Sequence, residues 1–483
     1  MKTLHTSAAA RGAFALTAMV AALGLSACAD MSGITPQSSL RDPASFGLAA
    51  DASGPAVASE WWRDFGDEQL NGLIEQAIAT SPNLKLAQAR LARAQAVTEV
   101  ADAARFPQVN GALDLTRQRY TRNGLVPPPL AGAIVNNGTL QLNGSWEIDF
   151  FGKYSAALDS ALGAVNAAKA DAQAARILLA SSVARSYFQL ARINDQIAVT
   201  RRTLSQREQT LGLVRDRVNA GLDTNLELRQ SEGGLPEARQ QLEALQEQAA
   251  LTRNALAALV GQPAMAQTIK PVALPVAKAR FAASAIPADL LGRRADIAAA
   301  RERVQAAGYD VTNAKAQFYP NINLMAFAGL SSIGLGRLIQ AGSEQWGVGP
   351  ALRLPIFEGG KLRANLRGKT ADLDAAVESY NSAVIDAVHD VADQVTSAQS
   401  ITLQQTQQNA AQAAAESAFE IAVQRYKAGL SNYLNVLAAE TNVLAQRRLA
   451  VDLSARALDT QVALIRALGG GYAPEPSATT AQK

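Results

Sequence analysis

The chain has 483 residues, enough for two or three ordinary domains. Aromatic residues make up only 5% and alanine and glutamine recur throughout, which suits closely packed long helices better than a large mixed core. A formal charge of +3 excludes a strongly basic nucleic-acid surface, and one cysteine with two histidines excludes disulfides and a His/Cys metal centre, so neither metal nor cofactor is expected.

Lys2 and Arg11 open the chain and residues 13–25 form an apolar run. Thirteen residues are too few to cross a bilayer of roughly 30 Å as a helix, but they suit a signal peptide over 1–27. The run ends in Leu25-Ser26-Ala27-Cys28, which has the form of a bacterial lipobox cut before a lipidated Cys28. Lipid chains gain about 0.8 kcal/mol per buried methylene, so several on one cysteine make a firm anchor in membrane lipid. Ala29, rather than Asp, after the cysteine favours the outer membrane over the inner one. Cleavage would remove Lys2 and Arg11 and no acid, leaving a charge of about +1. Residues 28–58, rich in Ser, Pro, Gly and Ala, read as a tether.

Beyond the tether the chain contains itself twice. Residues 82–107 match 295–320 at an offset of 213, each ending in a proline. Arg217-Val218-Asn219-Ala220-Gly221-Leu222 matches Arg425-Tyr426-Lys427-Ala428-Gly429-Leu430 at an offset of 208, and Glu232 then meets Glu440. A collinear series of this kind marks a tandem duplication, with repeats over 59–265 and 291–469, a connecting segment 266–290 and a flexible tail 470–483.

In the first repeat a helix is predicted over 81–105, extended segments over about 108–120 and 139–151 around a loop, a long helix over 153–220, a glycine turn, and a returning helix over 222–260 kinked at Pro236. The second repeat gives 295–319, about 321–330, 345–357, 361–428 and 430–468. Val183, Leu190, Ile197, Leu204, Leu211 and Val218 recur every seven residues, as do Leu430, Leu437, Leu444, Val451, Leu458 and Ile465. Sustained heptads mean coiled-coil packing, and 68 helical residues make a rod of about 100 Å.

The extended segments carry a different period. Leu140, Leu142, Gly144, Trp146, Ile148 and Phe150 alternate with Gln141, Asn143, Ser145, Glu147 and Asp149. Trp346, Val348, Pro350, Leu352, Leu354 and Ile356 alternate similarly with residues that include Arg353. Period two over eleven residues is the length of a tilted transmembrane strand. Gln141, Asn143, Glu147, Asp149 and Arg353 are then the lumen-facing candidates. Four strands are too few to close a barrel, and open edges cannot face hydrocarbon, so copies must pool their strands.

These residues resemble the TolC-like outer-membrane efflux proteins, in particular the NodT-like lipoprotein branch that serves resistance-nodulation-division (RND) pumps. The marks are Trp61-Trp62 with Phe65 and Asp67; Leu259-Val260-Gly261-Gln262-Pro263; Arg293-Arg294-Ala295-Asp296-Ile297; Ala316-Gln317-Phe318-Tyr319-Pro320; and Tyr426-x-x-Gly429 through Leu434-x-Val436-Leu437. The resemblance implies a mainly α fold with a membrane β-barrel part. Three copies form a twelve-stranded barrel and a tapering periplasmic helical tube, which works with a periplasmic adaptor and an RND pump. The helical turns that meet those partners correspond to 218–228 and 426–437. This places Gly221, Leu222, Asp223, Glu227, Gly429, Leu430, Ser431 and Asn435 at the gate and adaptor contact. Related ducts narrow their mouth with carboxylates where this chain has Asn435 and Ala438, so Asp223 and Glu227 are the acids left nearby. Asp223 also reads as a plain helix N-terminal acid after the turn glycine.

No nucleophile and base are spaced for catalysis, and an enzyme is not expected. Passive conduction of small molecules or drugs is the reading favoured here. A duct for ABC-type protein secretion and a non-conducting envelope strut are the alternatives.

Overall fold

The computed structural model describes residues 31–46, 57–275 and 290–473. The predicted leader and Cys28 lie outside them, as does the tail beyond residue 473. The chain is mainly helical with one four-stranded sheet. In order come α1 (Glu68–Thr80), α2 (Pro82–Ala103), β1 (Gln108–Arg119), β2 (Ile134–Ile148), α3 (Lys153–Asn219) and α4 (Asn225–Val260). The second repeat supplies α5 (Ala295–Ala316), β3 (Asn321–Ile333), β4 (Glu344–Arg353), α6 (Lys361–Lys427) and α7 (Tyr433–Ala467). Both long helices have 67 residues.

The chain divides into two compact units. One holds the sheet with helical stretches 91–168 and 300–380 and the segment ending at Leu40. Its strands run antiparallel in the order β1-β2-β3-β4. The inner pair β2–β3 joins the two repeats, with Leu140 opposite Leu330 and Ile148 opposite Ile322. Beside the sheet, Val311, Ala314, Phe318 and Leu366 form a small apolar core that Met31 and Ile34 cover. Phe151 stacks on Tyr319 at 4.9 Å.

The other unit holds residues 41–90, 169–299 and 381–483. Its main core gathers Trp61, Trp62, Leu70, Ile74, Tyr187, Phe188, Leu256 and Leu458. Asp67 starts α1 by accepting the Leu70 amide at 3.1 Å and also accepts the Tyr187 hydroxyl at 2.6 Å. Burial and that acidic neighbour push the Tyr187 hydroxyl far above its usual range. Buried Arg294 pairs with Asp296 at 2.7 Å and donates to the Ala467 carbonyl at 3.4 Å.

Several boundaries differ from the sequence reading. α1 carries no long heptad and was not anticipated. β2 begins at Ile134, so the preceding loop is shorter than alternation alone suggested. β4 stops at Arg353, since Pro355 cannot donate to a ladder and Gly359 and Gly360 turn the chain with φ of 58° and 83°. α4 starts at Asn225 rather than at 222 and contains Pro236, the residue at which a kink is predicted. Among the described residues no helix is long and apolar enough to cross a membrane.

Candidate functional site

Two regions carry the functional geometry: the faces of the sheet and the two helical turns. Residues paired across neighbouring strands share a face, so the register sorts every side chain. One face carries Val109, Leu113, Leu115, Leu140, Leu142, Trp146, Leu324, Ala326, Val348 and Leu352. Leu113 and Leu142 are each 59% exposed and Leu352 is 70% exposed. The opposite face carries Asn110, Asp114, Gln141, Asn143, Glu147, Asn323 and Arg353. Gln141, Asn143, Ser145 and Glu147 are half-buried there. A water-soluble sheet covers its apolar face; this sheet leaves that face bare. Among the described residues its β1 and β4 edges are unpaired.

Four of the five lumen candidates lie on that polar face, and one does not. Gln141 accepts from the Gln345 amide at 2.9 Å and donates to Asn143. Glu147 accepts from Lys153 at 2.9 Å and from the Tyr154 hydroxyl at 2.8 Å, tying the strand to the start of α3. Arg353 is the last residue of β4. Asp149 falls beyond β2, where its carboxylate accepts the Ser155 amide at 2.8 Å and serves the first turn of α3. The backbone bends after Ile148, which strict alternation cannot register. The polar face also carries Met325 and Phe327, which the less regular third strand concealed. Phe327 lies over Gly347, where a Cβ would come within 2.6 Å of its ring.

The two turns are built alike. Gly221 and Gly429 adopt φ of 72° and 71°, and the amides of Leu222 and Leu430 reach back to the carbonyls of Arg217 and Arg425 at 2.9 and 2.8 Å. Only glycine adopts that backbone without strain, which closes each long helix as a Schellman turn. Thr224 then caps α4 in a capping box with Glu227, whose carboxylate accepts the Thr224 amide at 2.9 Å. Asn432 caps α7 by accepting the Asn435 amide at 3.4 Å. Glu227 is therefore a capping acid, and the helix N-cap is Thr224, not Asp223. Ser431 keeps its hydroxyl buried.

Asp223 is occupied. Arg217 grips it with two bonds of 2.9 and 3.3 Å, and Tyr426 donates its hydroxyl to the same carboxylate. The Arg217 guanidinium lies 4.6 Å from the Tyr426 ring centre and donates to the Tyr426 carbonyl at 3.1 Å. The side chains of Arg217 and Asp223 are only 13% and 9% exposed. Bonding to Arg217 holds the Asp223 carboxyl below its ordinary range, with partial burial opposing. The cluster joins the end of α3 and the first turn to α6. Arg217 and Tyr426 were missed as site residues, although both stand in the repeat motif that ends each long helix.

Behind the turns lie charged layers. Arg207 bonds Glu440 at 3.0 Å and the Gly234 carbonyl at 2.5 Å. Arg447 holds Glu416 through two bonds of 2.6 and 2.5 Å and bonds Gln206 at 2.9 Å. Burial raises the Glu440 carboxyl, against the pull of Arg207. The inner seam of α7 near its turn is Tyr433, Val436, Glu440, Val443 and Arg447 rather than the predicted leucine heptad, whose Leu430 is 68% exposed.

A sheet dressed for lipid on one face and water on the other, followed by paired helices closed by tight turns, defines a membrane-channel building block. The comparisons carry this to a family. Residues 73–262 and 286–470 match the model of the outer membrane efflux protein family, and the chain belongs to it. It is 37% identical over 378 residues to the fusaric acid resistance protein FusA of Burkholderia cepacia, covering 76% of this chain and 71% of that one. It is 32% identical over 426 residues to the multidrug resistance outer membrane protein MdtQ of Escherichia coli O157:H7, covering 86% and 88%. The crystal structure of the outer membrane protein VceC from Vibrio cholerae superposes with a TM-score of 0.81 at 37% identity, over 86% of this chain and 99% of that one. The chain is accordingly an outer-membrane channel component of efflux.

Proposed function

We propose that three copies of this chain close one twelve-stranded barrel and form a passive duct, lipid-anchored in the outer membrane, that an RND pump feeds through a periplasmic adaptor. The observation that carries the reading is the bare apolar face of an open-edged sheet, since such a sheet is stable only when that face meets lipid and its edges meet further strands. The polar face then lines the water path. No residue of the duct performs chemistry; the pump supplies the energy. Its cargo is small drugs or toxins, in keeping with what the relatives' names record.

The turns offer exposed apolar groups for the adaptor: Leu222 and Leu226 on the first, Leu430 and Leu434 on the second, all at least 59% exposed. The Arg217–Asp223–Tyr426 cluster serves as the latch of the periplasmic mouth. Opening shifts one helical hairpin against the other, so adaptor binding must favour the state in which the cluster is broken. Lipidation at Cys28 fits the placement of the first described residues. Met31 and Ile34 pack by Leu362 and Leu366, and Arg363 donates to the Ser32 carbonyl at 3.2 Å, just below the sheet. Three residues reach about 10 Å from there, within range of a bilayer surface at the base of the strands.

The test is crosslinking in intact cells from Leu430→Cys, an exposed position that avoids the buried Ser431 hydroxyl, with mass spectrometry of captured proteins. Capture of a periplasmic adaptor together with an RND pump is expected. Capture of an ABC exporter would overturn the pump assignment, and the absence of any inner-membrane partner would overturn the tripartite reading. Labelling with radioactive palmitate, lost in Cys28→Ser, tests the anchor.

A further inference from the structure

The internal duplication specifies how one copy's sheet continues into the next. The offset of 213 carries β1 onto β3 and the offset of 208 carries β2 onto β4. Applied together to the first hairpin they convert Gln108↔Ser145 into Asn321↔Arg353, which is the register observed in the second hairpin. The two hairpins are therefore equivalent to the residue. One further interface exists inside the chain, where β2 of the first hairpin meets β3 of the second, pairing Asn137 with Ile333 through Ile148 with Ile322. A closed ring of such hairpins must repeat that interface between β4 of one copy and β1 of the next, because those are the only unpaired edges among the described strands.

We propose that β4 pairs with β1 of an adjacent copy in the register obtained by moving the β2–β3 interface through the same two offsets. This rests on the closed-ring reading above and fixes its contact residue by residue. Leu142↔Ala328 becomes Pro350↔Leu115, and Gly144↔Ala326 becomes Leu352↔Leu113. Two rows farther from the helices, Gly138↔Ser332 becomes Trp346↔Arg119.

The side chains placed together are chemically matched. On the lipid face, Leu352, Pro350 and Val348 meet Leu113, Leu115 and the stem of Arg117. At the distal end the Trp346 ring, 77% exposed in the single chain, lies opposite exposed Arg119, so the guanidinium stacks on an indole. Glu344 sits one row diagonally from Arg119 on the same face and supplies the opposite charge. On the water face Arg353 lies opposite Ala112 and diagonal to Asp114, within reach of a long side chain. Arg353 and Asp114, ion-paired to nothing across their own sheet, thus become partners across the copy boundary. A shift by two residues keeps faces but moves Trp346 off Arg119; a shift by one puts leucines into the lumen.

The test uses double substitutions in the full-length chain in outer-membrane vesicles. Leu352→Cys with Leu113→Cys places two thiols directly opposite in the proposed register. Within one chain the same residues are three strand spacings apart, about 14 Å, beyond disulfide reach. Oxidation followed by a non-reducing gel should give covalent dimer and trimer in at least about tenfold excess over Leu352→Cys with Val109→Cys or with Arg117→Cys, each displaced by about 13 Å along the strand. Single substitutions set the background. Preferential crosslinking of either displaced pair would overturn the register while leaving the trimer intact. No crosslink from any pair, with a monomeric mass by light scattering in detergent, would overturn the register and the closed ring together.

Discussion

Removing the charge of Asp223 while keeping its shape is the sharpest probe of the latch. In Asp223→Asn the two bonds from Arg217, at 2.9 and 3.3 Å, lose their anionic acceptor and the Tyr426 hydroxyl loses its carboxylate partner. The amide oxygen, in the place of the Oδ2 that serves both Arg217 Nε and Tyr426, keeps these two bonds as neutral ones, each about 1 kcal/mol weaker than a bond to a charged group, so the loss is about 2 kcal/mol per chain. At about 1.4 kcal/mol per factor of ten, each copy shifts about 30-fold toward the open arrangement; three copies moving as one shift by about four powers of ten. The readout is open probability and conductance in planar bilayers, with Arg229→Gln as a control because its pair with Glu232 is 78% exposed on the arginine side. A conductance trace for Asp223→Asn indistinguishable from the parent, at an unchanged melting temperature, would refute the assignment of this cluster as the latch.

Other expectations follow from the same geometry. Because Arg217 depresses the Asp223 carboxyl, its contribution is present above the unfolded value near about 3.9 and is lost only as pH falls through the lower folded value. Conductance should therefore stay flat between about pH 5 and 8 and rise below about pH 4. Arg447 is 3% exposed and holds Glu416 by two short bonds, so Arg447→Ala, which leaves Glu416 its longer 3.5 Å contact with Arg202, should cost about 1.5–3 kcal/mol, seen as a lower melting temperature in detergent; Arg447→Met with Glu416→Gln should recover most of it. Leu142→Arg, on the lipid face near the middle of β2, should cost about 2–4 kcal/mol in refolding into vesicles. Gln141→Arg, one residue away on the water face, should refold like the parent and alter ion selectivity instead.

Much of this protein is legible in one dimension because its regularities are periodic. Heptads in α3 reveal the long helix, and Val183, Leu190, Ile197 and Leu211 are buried as the period requires. Alternation in β2 sorts its two faces, and the repeat offsets foretell two equivalent hairpins whose registers agree residue for residue. The glycine turns are legible for the same reason: Gly221 and Gly429 end matched motifs and both take the left-handed backbone.

What escaped the sequence is aperiodic. The latch draws Asp223 from the first repeat and Tyr426 from the second, and at the matching positions the other copy has Ser431 and Val218. A repeat comparison scores those sites as mismatches, whereas the fold brings the two departures into one contact. Glu440 and Arg447 likewise occupy seam positions that hydrophobic patterning assigns to solvent, since a charge is acceptable there only once Arg207 or Glu416 arrives from another helix. Asp149 was misplaced because the bend after Ile148 ends the alternation without any change of residue type. Sequence alone determined the periodic elements, their order and their duplication, because local backbone preference and one-sided burial repeat along the chain. Tertiary structure decided which polar side chains are paired, because a partner hundreds of residues away leaves no period to read.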